Sequence, residues 1–136
     1  MVASQLPTTY ATVEVDRFVA DKGVAVPAGY QDALADDIAR ELSVEFPTVM
    51  ILHETDIVPN GQPVVRISGT VTQFQPASRA KKLLNRFSGT VVTVQVRFAD
   101  AATGRVLTIR QFQGAGDSLG RRIAKFCERE QLVSSN

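Results

Sequence analysis

Few residues of this chain of 136 could support catalysis. His53 is the single histidine, and a general base of this kind needs a nucleophile or an orienting carboxylate close to it in space. Glu54 and Asp56 are near in sequence, but successive residues of a strand point to opposite faces, so no pairing of His53 with Glu54 follows. The sequence therefore predicts no catalytic residue.

Metal and thiol chemistry are not indicated either. Cys127 is the single cysteine, which excludes an internal disulfide and a cysteine-based metal cluster within one chain. Its apolar neighbours predict a buried small side chain rather than a reactive thiol. Glu14 and Asp16 share one face of a predicted strand, which is too common a pattern to indicate a metal site. We expect neither a metal nor a cofactor.

The segment GAGDSLG, residues 114–120, lies between a predicted strand and a predicted helix, where a phosphate-binding loop would be found. Its glycines do not have the G-x-G-x-x-G spacing, and Asp117 would place a negative charge where a phosphate binds. The segment is therefore predicted to be a turn that leads into a helix capped by Asp117 or Ser118.

Four cations fall within eight residues, at Arg79, Lys81, Lys82 and Arg86. This basic segment, residues 79–86, could be a solvated loop, or it could contact an acidic protein, an anionic membrane surface or nucleic-acid phosphates. A nucleic-acid site favours interleaved aromatic residues and a basic domain, whereas the net charge here is +1. We rank the solvated loop first, protein or membrane contact next and nucleic acid last.

Charge is divided unevenly along the chain. Residues 1–60 carry three basic and ten acidic side chains, and residues 61–136 carry twelve basic and four acidic ones. Self-association, with the basic segment of one copy on the acidic helix of another, is therefore one form that protein contact could take.

Hydrophobic periodicity predicts the elements that position these residues. Apolar side chains recur every fourth residue from Tyr30 to Phe46, which indicates an amphipathic helix with an acidic outer face. The apolar run at residues 48–52 is predicted to be a central strand. The predicted strands lie near residues 13–19, 48–52, 65–72, 92–98 and 107–110, and the predicted helices span residues 28–46 and about 118–127.

The order β-α-β-β-β-α contains one crossover followed by an antiparallel run joined by a turn at residues 100–104. It predicts an α/β (α+β) two-layer sandwich with a mixed five-stranded sheet and both helices on one face. We expect a single domain over residues 1–136, with an ordered core from about 10 to 132.

The second face of the sheet is predicted to be polar. In strand five, Leu107 and Ile109 are assigned to the core. The side chains assigned to the polar face are Ser68, Thr70, Thr72, Thr93, Gln95, Arg97, Thr108 and Arg110. The face could be solvated or could dock a partner. The candidate interaction residues are Thr70, Thr72, Thr93, Arg97 and Arg110, together with the basic segment.

Two stretches of the sequence resemble an uncharacterised bacterial domain-of-unknown-function family of envelope lipoproteins and exported proteins. They are ISGTVTQFQPASR, residues 67–79, and DAATGRVL, residues 100–107. The similarity covers about residues 11–127. The element order is also similar to the amino-terminal α/β domains of some envelope secretion and translocation proteins. The resemblance implies a periplasmic or lipid-anchored protein without enzymatic activity.

The leading hypothesis is thus a non-enzymatic interaction domain of the bacterial envelope whose partner is an envelope protein or a second copy. No apolar run reaches the roughly 18 residues of a membrane-spanning helix, and residues 1–7 do not resemble a signal peptide. The hypothesis therefore requires that an export segment was removed before Met1. The alternative is a cytoplasmic module that binds phosphate or nucleic acid through residues 79–86. An enzyme ranks third and would need a deep pocket around Asp16, His53 or Asp56.

Overall fold

The computed structural model describes residues 9–54, 56, 62–75, 90–115 and 118–133. Within these ranges the chain forms six strands and two helices. Their bounds are β1 (Thr12–Val15), β2 (Val19–Ala20), α1 (Tyr30–Glu45), β3 (Met50–His53), β4 (Val64–Gln75), β5 (Val91–Asp100), β6 (Val106–Ala115) and α2 (Leu119–Arg129).

The strands form one mixed sheet in the order β3-β1-β4-β5-β6, and the two-residue β2 pairs with β4. β1 is parallel to both β3 and β4, whereas β4, β5 and β6 are successively antiparallel. Both helices lie on one face of the sheet, so the predicted two-layer α+β arrangement is confirmed. The described sheet has six strands rather than five because β1 and β2 replace one longer predicted strand.

The prediction that the apolar run at residues 48–52 forms a central strand was wrong. β3 is an edge strand, and its residues are exposed or partly exposed. β1 takes the central place between β3 and β4, and all four of its residues are buried. Side chains point above and below the sheet, so an apolar strand is one whose two faces are covered. Neighbouring strands lie in the plane of the sheet, and apolar composition therefore does not show whether a strand is central or at an edge.

Strand β5 confirms its predicted alternation, since Val92, Val94, Val96 and Phe98 are all inaccessible to solvent. The predicted facing of β6 was wrong. Phe98 pairs with Thr108 but Ala99 pairs with Val106, so β6 contains one extra residue at this bulge. A slip of one residue moves every following side chain to the opposite face of a strand.

The core lies between the helices and the sheet. Helix α1 buries the predicted stripe at every fourth position, and α2 contributes its own buried stripe. The largest buried side chains are Tyr10, Tyr30, Phe18, Phe46, Phe98, Leu34, Ile38, Leu42, Ile67, Leu119 and Ile123. Burial of such side chains is the main source of stability for a fold of this kind.

The two helices approach closely at Gly120. A Cβ atom placed on Gly120 would lie 2.9 Å from the backbone carbonyl carbon of Asp37 on α1. Backbone atoms cannot move aside as a flexible side chain can, so this contact requires a residue without a side chain. Glycine at this position therefore sets the distance between α1 and α2.

A buried hydrogen bond joins the two ends of the described chain to the sheet. The Tyr10 hydroxyl donates to Asp100 Oδ2 at 2.8 Å, and the backbone N–H of Tyr10 donates to the carbonyl of Leu132 at 2.9 Å. Asp100 also accepts from the backbone and the hydroxyl of Thr103 in the predicted turn, where Gly104 has a φ of 76°. Burial opposes ionisation of Asp100, but these hydrogen bonds outweigh it and lower its pKa.

We expect Tyr10→Phe to lower the free energy of unfolding at pH 7 by about 1–3 kcal/mol, because the buried Asp100 carboxylate loses a donor. The lowered pKa of Asp100 means that its contribution is present above the unfolded-state pKa and is lost as the pH falls. The difference between variant and wild type should therefore shrink in acid. Urea unfolding at pH 7 and pH 3 measures both effects, and equal stability at pH 7 would contradict the role given to this bond.

We expect Gly120→Ala to destabilise the protein by about 1–3 kcal/mol, although alanine in a helix interior is ordinarily about 1 kcal/mol better than glycine. The matched control is Gly114→Ala. A Cβ atom at Gly114 would meet only the side chains of Arg122 and Ser118, at 3.1 Å, and these can move. In thermal unfolding, Gly120→Ala should therefore have a lower unfolding temperature than Gly114→Ala. A Gly120→Ala variant more stable than wild type would refute the close helix contact.

Candidate functional site

The polar face of the sheet, here called the open face, carries three of the nine candidate interaction residues, Thr70, Thr93 and Arg97, together with Ser68 and Gln95. Thr70 pairs with Gln95 and Ser68 pairs with Arg97 across β4 and β5. Their side chains lie on the side away from the helices, because the intervening valines are buried in the core. Thr70 and Arg97 thus lie on the same face of the sheet, one pairing step apart.

Two of the hydroxyl groups predicted to contact a partner instead form hydrogen bonds between strands of the sheet. Thr72 is an extra residue at a bulge in β4, and its hydroxyl donates to the carbonyl of Thr93 at 3.2 Å. Thr93 is only 4% exposed. Its hydroxyl donates to Gln73 Oε1 at 3.3 Å and accepts from Gln113 Nε2 at 3.1 Å. This network connects three strands.

Arg110 does not lie on the open face, contrary to the prediction. It pairs with Val96, whose side chain is in the core, so Arg110 extends toward α2. Its guanidinium carbon lies 5.6 Å from the centre of the Phe126 ring, an arrangement that permits a cation–π contact. Thr108 moves to the helix face for the same reason, and Ile109 takes its place on the open face with 46% of its surface exposed. The bulge in β6 causes both exchanges.

The basic segment, with Arg79, Lys81, Lys82 and Arg86, lies outside the described residues. Its role in binding remains a prediction from the sequence. Asp117 also lies outside them, and Ser118 precedes α2 without a capping hydrogen bond from its side chain. The Ser118 hydroxyl donates instead to the carbonyl of Ala115 at 3.0 Å.

A depression of about 330 Å³, here called the Asp16 pocket, opens where β1 and β3 end beside the open face. The carboxyl ends of parallel strands commonly form such crevices. The lining residues are Asp16, Arg17, Val19, Glu54, Ser68, Gly69, Thr70, Gln95 and Arg97. The pocket therefore joins two predicted interaction residues, Thr70 and Arg97, to acidic residues that were not predicted as a site.

Asp16, which lines the pocket, belongs to a charged cluster with Glu14 and Arg66, which are not lining residues. Arg66 Nε lies 2.9 Å from Glu14 Oε2 and 3.8 Å from Asp16 Oδ2. The Glu14 side chain is only 5% exposed and Asp16 is 18% exposed. Oδ1 of Asp16 is buried and has no hydrogen-bond partner among the described residues. A buried polar atom without a partner has lost its hydrogen bonds to water, and this loss destabilises the folded state.

Burial, a carboxyl–carboxyl hydrogen bond with Glu14 and the negative charge of Glu14 together raise the pKa of Asp16 to about 7. The positive charge of Arg66 opposes this rise but does not cancel it. Asp16 therefore keeps its proton up to near neutral pH. A carboxyl group of this kind can donate a hydrogen bond at pH 7, which an ordinary exposed aspartate cannot.

Arg17 and Glu54 frame the pocket. The backbone N–H of Arg17 donates to Glu54 Oε1 at 2.9 Å, and Arg17 Nε donates to Asp32 Oδ1 at 2.8 Å. These bonds tie the end of β1 to the segment after β3 and to the first turn of α1. The pocket is thus built on three elements rather than on one loop.

Other sequence candidates do not join this site. His53 and Asp56 are exposed and do not line the pocket, and the Asp56 carboxylate accepts the backbone N–H of His53 at 2.8 Å. Cys127 is buried as predicted, and burial raises the pKa of its thiol to about 12. Across the described ranges, no group of three or more acidic, histidine or cysteine side chains is placed to hold a metal ion.

Sequence reasoning missed the cluster because Arg66 is far from Glu14 in the chain. The spacing of Glu14 and Asp16 placed both carboxylates on one strand face, but it did not show that β1 would be central. Glu14 pairs with Arg66 in the parallel register of β1 and β4. Only that register brings the cation to the buried acid.

No helix in the described part of the chain is both long enough and apolar enough to cross a membrane. No protein-family model and no curated protein sequence matches the chain. Solved structures do match it, over nearly its whole length.

The PelC dodecamer from Paraburkholderia phytofirmans has a TM-score of 0.59 and 15% identity over 94% of each chain. A Xanthomonas campestris protein of the DUF330 family model has a TM-score of 0.62 and 10% identity, covering 93% of this chain and 88% of that one. A minor lipoprotein from Acinetobacter baumannii has a TM-score of 0.50 and 14% identity, covering 91% and 97%. At such identities the likeness shows a shared fold. At that level the predicted resemblance to bacterial lipoproteins and a domain of unknown function is confirmed.

We expect the raised pKa of Asp16 to make stability depend on pH near neutrality. The protonated group contributes stability that is present in full below about pH 4 and is lost as the pH rises through about 7. Asp16→Asn removes this pH-dependent contribution. As the pH rises from about 4 to 7, the free energy of unfolding of the variant should therefore increase relative to that of wild type, by up to about 1 kcal/mol per pH unit. Urea unfolding at several pH values measures the difference.

The matched control for this pH experiment is Asp36→Asn, which changes an exposed carboxylate on α1. Its unfolding free energy should run parallel to that of wild type between pH 4 and pH 8. Parallel curves for wild type and Asp16→Asn would show that Asp16 does not carry the raised pKa.

Proposed function

We propose that this protein is a non-enzymatic interaction domain of the bacterial cell envelope, periplasmic or lipid-anchored, that acts by binding protein. The observation that carries the proposal is a fold shared with a bacterial lipoprotein and with PelC over more than nine-tenths of the chain. The absence of a metal-binding group from the described residues is compatible with this function.

The geometry of the Asp16 pocket supports binding more than catalysis. It contains carboxylates, hydroxyls and guanidinium groups, but no histidine and no cysteine among its described lining. A reaction through a hydroxyl nucleophile requires a base beside it, and among the described residues neither Ser68 nor Thr70 has a hydrogen bond to a carboxylate. The arrangement suits hydrogen bonding to a polar surface of a partner, with Thr70 and Arg97 as contact residues.

Two kinds of protein partner fit the proposal, namely a different envelope component and a second copy of the chain. The PelC structure is a dodecamer, which favours including self-association. Proteins with the same fold can have different oligomeric states, because interfaces are formed by surface side chains that vary within a fold. The two partners are distinguished by the mass of the purified protein in solution.

The first test is expression of the complete gene in its own host, followed by cell fractionation and mass spectrometry of the mature amino terminus. We expect a processed or lipidated terminus in the envelope fraction. Light scattering on the same material gives the assembly state. An unprocessed chain in the cytosol would overturn the proposal and would favour the alternative of phosphate or nucleic-acid binding through residues 79–86, which predicts steep salt dependence.

A further inference from the structure

A second concave surface lies on the other side of the molecule from the Asp16 pocket, between α2 and the edge strand β6. It has a volume of about 430 Å³. The described residues that line this basic groove are Phe112, Ser118, Arg121, Arg122, Lys125 and Arg129. Four of the six are cations and none is a carboxylate. None of these four cations was predicted from the sequence to be an interaction residue.

The cations of the basic groove are only partly neutralised. Lys125 Nζ lies 3.0 Å from Glu45 Oε1 of α1. Among the described residues, no carboxylate lies within ion-pair distance of Arg121, Arg122 or Arg129, and all three side chains are exposed. Four cations clustered in one groove raise the local concentration of an anionic partner.

One wall of the basic groove is an edge strand. Within the described sheet β6 pairs only with β5, so its outer backbone groups have no strand partner there. It spans ten residues, contains no proline and carries one charge, at Arg110. Long edges without proline or several charges readily accept an added strand. The exposed side chains of Val106 and Ile109 lie along the same edge.

The pairing of β6 determines which side chains of an added strand would meet the cations. Phe112 and Gly114 pair with Val94 and Val92, so they face the helix layer and the groove. A strand bound beside β6 would lie about 4.8 Å away, and every second side chain would point toward α2. Acidic side chains at those alternate positions would reach Arg122 and Arg129.

We propose that the β6 edge and the basic groove together bind an extended acidic segment of a partner protein, which adds to the sheet as a further strand. The backbone of the segment pairs with β6, and its alternating Asp or Glu side chains lie in the groove. The inference rests on the proposed function, since it names the surface and the chemistry of the partner.

The chain itself does not supply such a segment from its described sheet edges. β3 has the sequence MILH and β6 has the sequence VLTIRQFQGA, and neither contains an acidic residue. A second copy docking edge to edge would bring Arg110 against the cations of the groove. Charge complementarity therefore favours a different protein as the partner at this surface.

The probe for this surface is a labelled peptide of about eight residues in which Glu alternates with Thr. Its binding to the full chain is measured by fluorescence anisotropy at low and high salt. One control peptide has Lys in place of each Glu, and another has the same composition with the Glu residues in one block. We expect the alternating Glu peptide to bind at least about tenfold more tightly than either control, and more weakly at high salt.

The variant Arg122→Glu with Arg129→Glu should weaken binding by about tenfold or more. Its matched control is Lys22→Glu with Arg40→Glu, which makes the same change in net charge at exposed positions that neither line the groove nor adjoin β6. Hydrogen exchange should show new protection of backbone amides in residues 106–115 when the peptide binds. Circular dichroism of both variants confirms that each is folded.

Equal binding of the Glu and Lys peptides, equal loss in both double variants, or protection away from β6 would overturn the inference. So would binding of anionic phospholipid vesicles, but not the peptide, with the same dependence on Arg122 and Arg129. These measurements use purified protein and do not depend on where the protein resides in the cell. If the peptide does not bind but the protein is found in the envelope fraction, the inference about this surface is wrong and the proposed function still holds.

Discussion

The ion pair between the buried Glu14 and the partly exposed Arg66 specifies how β1 and β4 are paired in the sheet. β1 has a parallel neighbour on each side and is buried along its length, so its carboxylate has little access to water. Arg66 occupies the paired position on β4 and lies 2.9 Å away. A slip of one residue would turn Glu14 into the core without a partner. The pair therefore favours a single register for the central strand, although its removal in favour of apolar residues need not cost stability.

Because of the order of the strands, the acidic and basic halves of the sequence lie at different sides of the sheet. The acidic first half of the chain builds β1, α1 and β3 at one side of the sheet, and the basic second half builds β5, β6 and α2 toward the other. The basic groove belongs to the second half, whereas residues of both halves line the Asp16 pocket. Lys125 and Glu45 link the two helices where the halves meet.

Much of the fold follows from local pattern. The four-residue spacing of apolar side chains on α1, the alternation on β5 and the turn at Asp100 and Gly104 each depend on neighbours in sequence, and each is confirmed. The errors came from features that depend on distant residues. They were the edge position of β3, the second short strand β2 and the facing of β6. Of the candidate site residues, Thr70 and Arg97 lie on the polar face of the sheet, whereas Arg110 faces α2.

The two-layer α+β class and the helix faces could be predicted from the sequence, because hydrophobic period and turn chemistry are local properties. The resemblance to lipoproteins came from two short stretches of sequence. Which residues became neighbours depended on the tertiary structure. Strand pairing brought Arg66 to Glu14 across 52 positions, and one extra residue in β6 moved Arg110 to the helix face of the sheet. Contacts between residues far apart in sequence depend on register, and a single bulge changes register without changing the apolar pattern that precedes it.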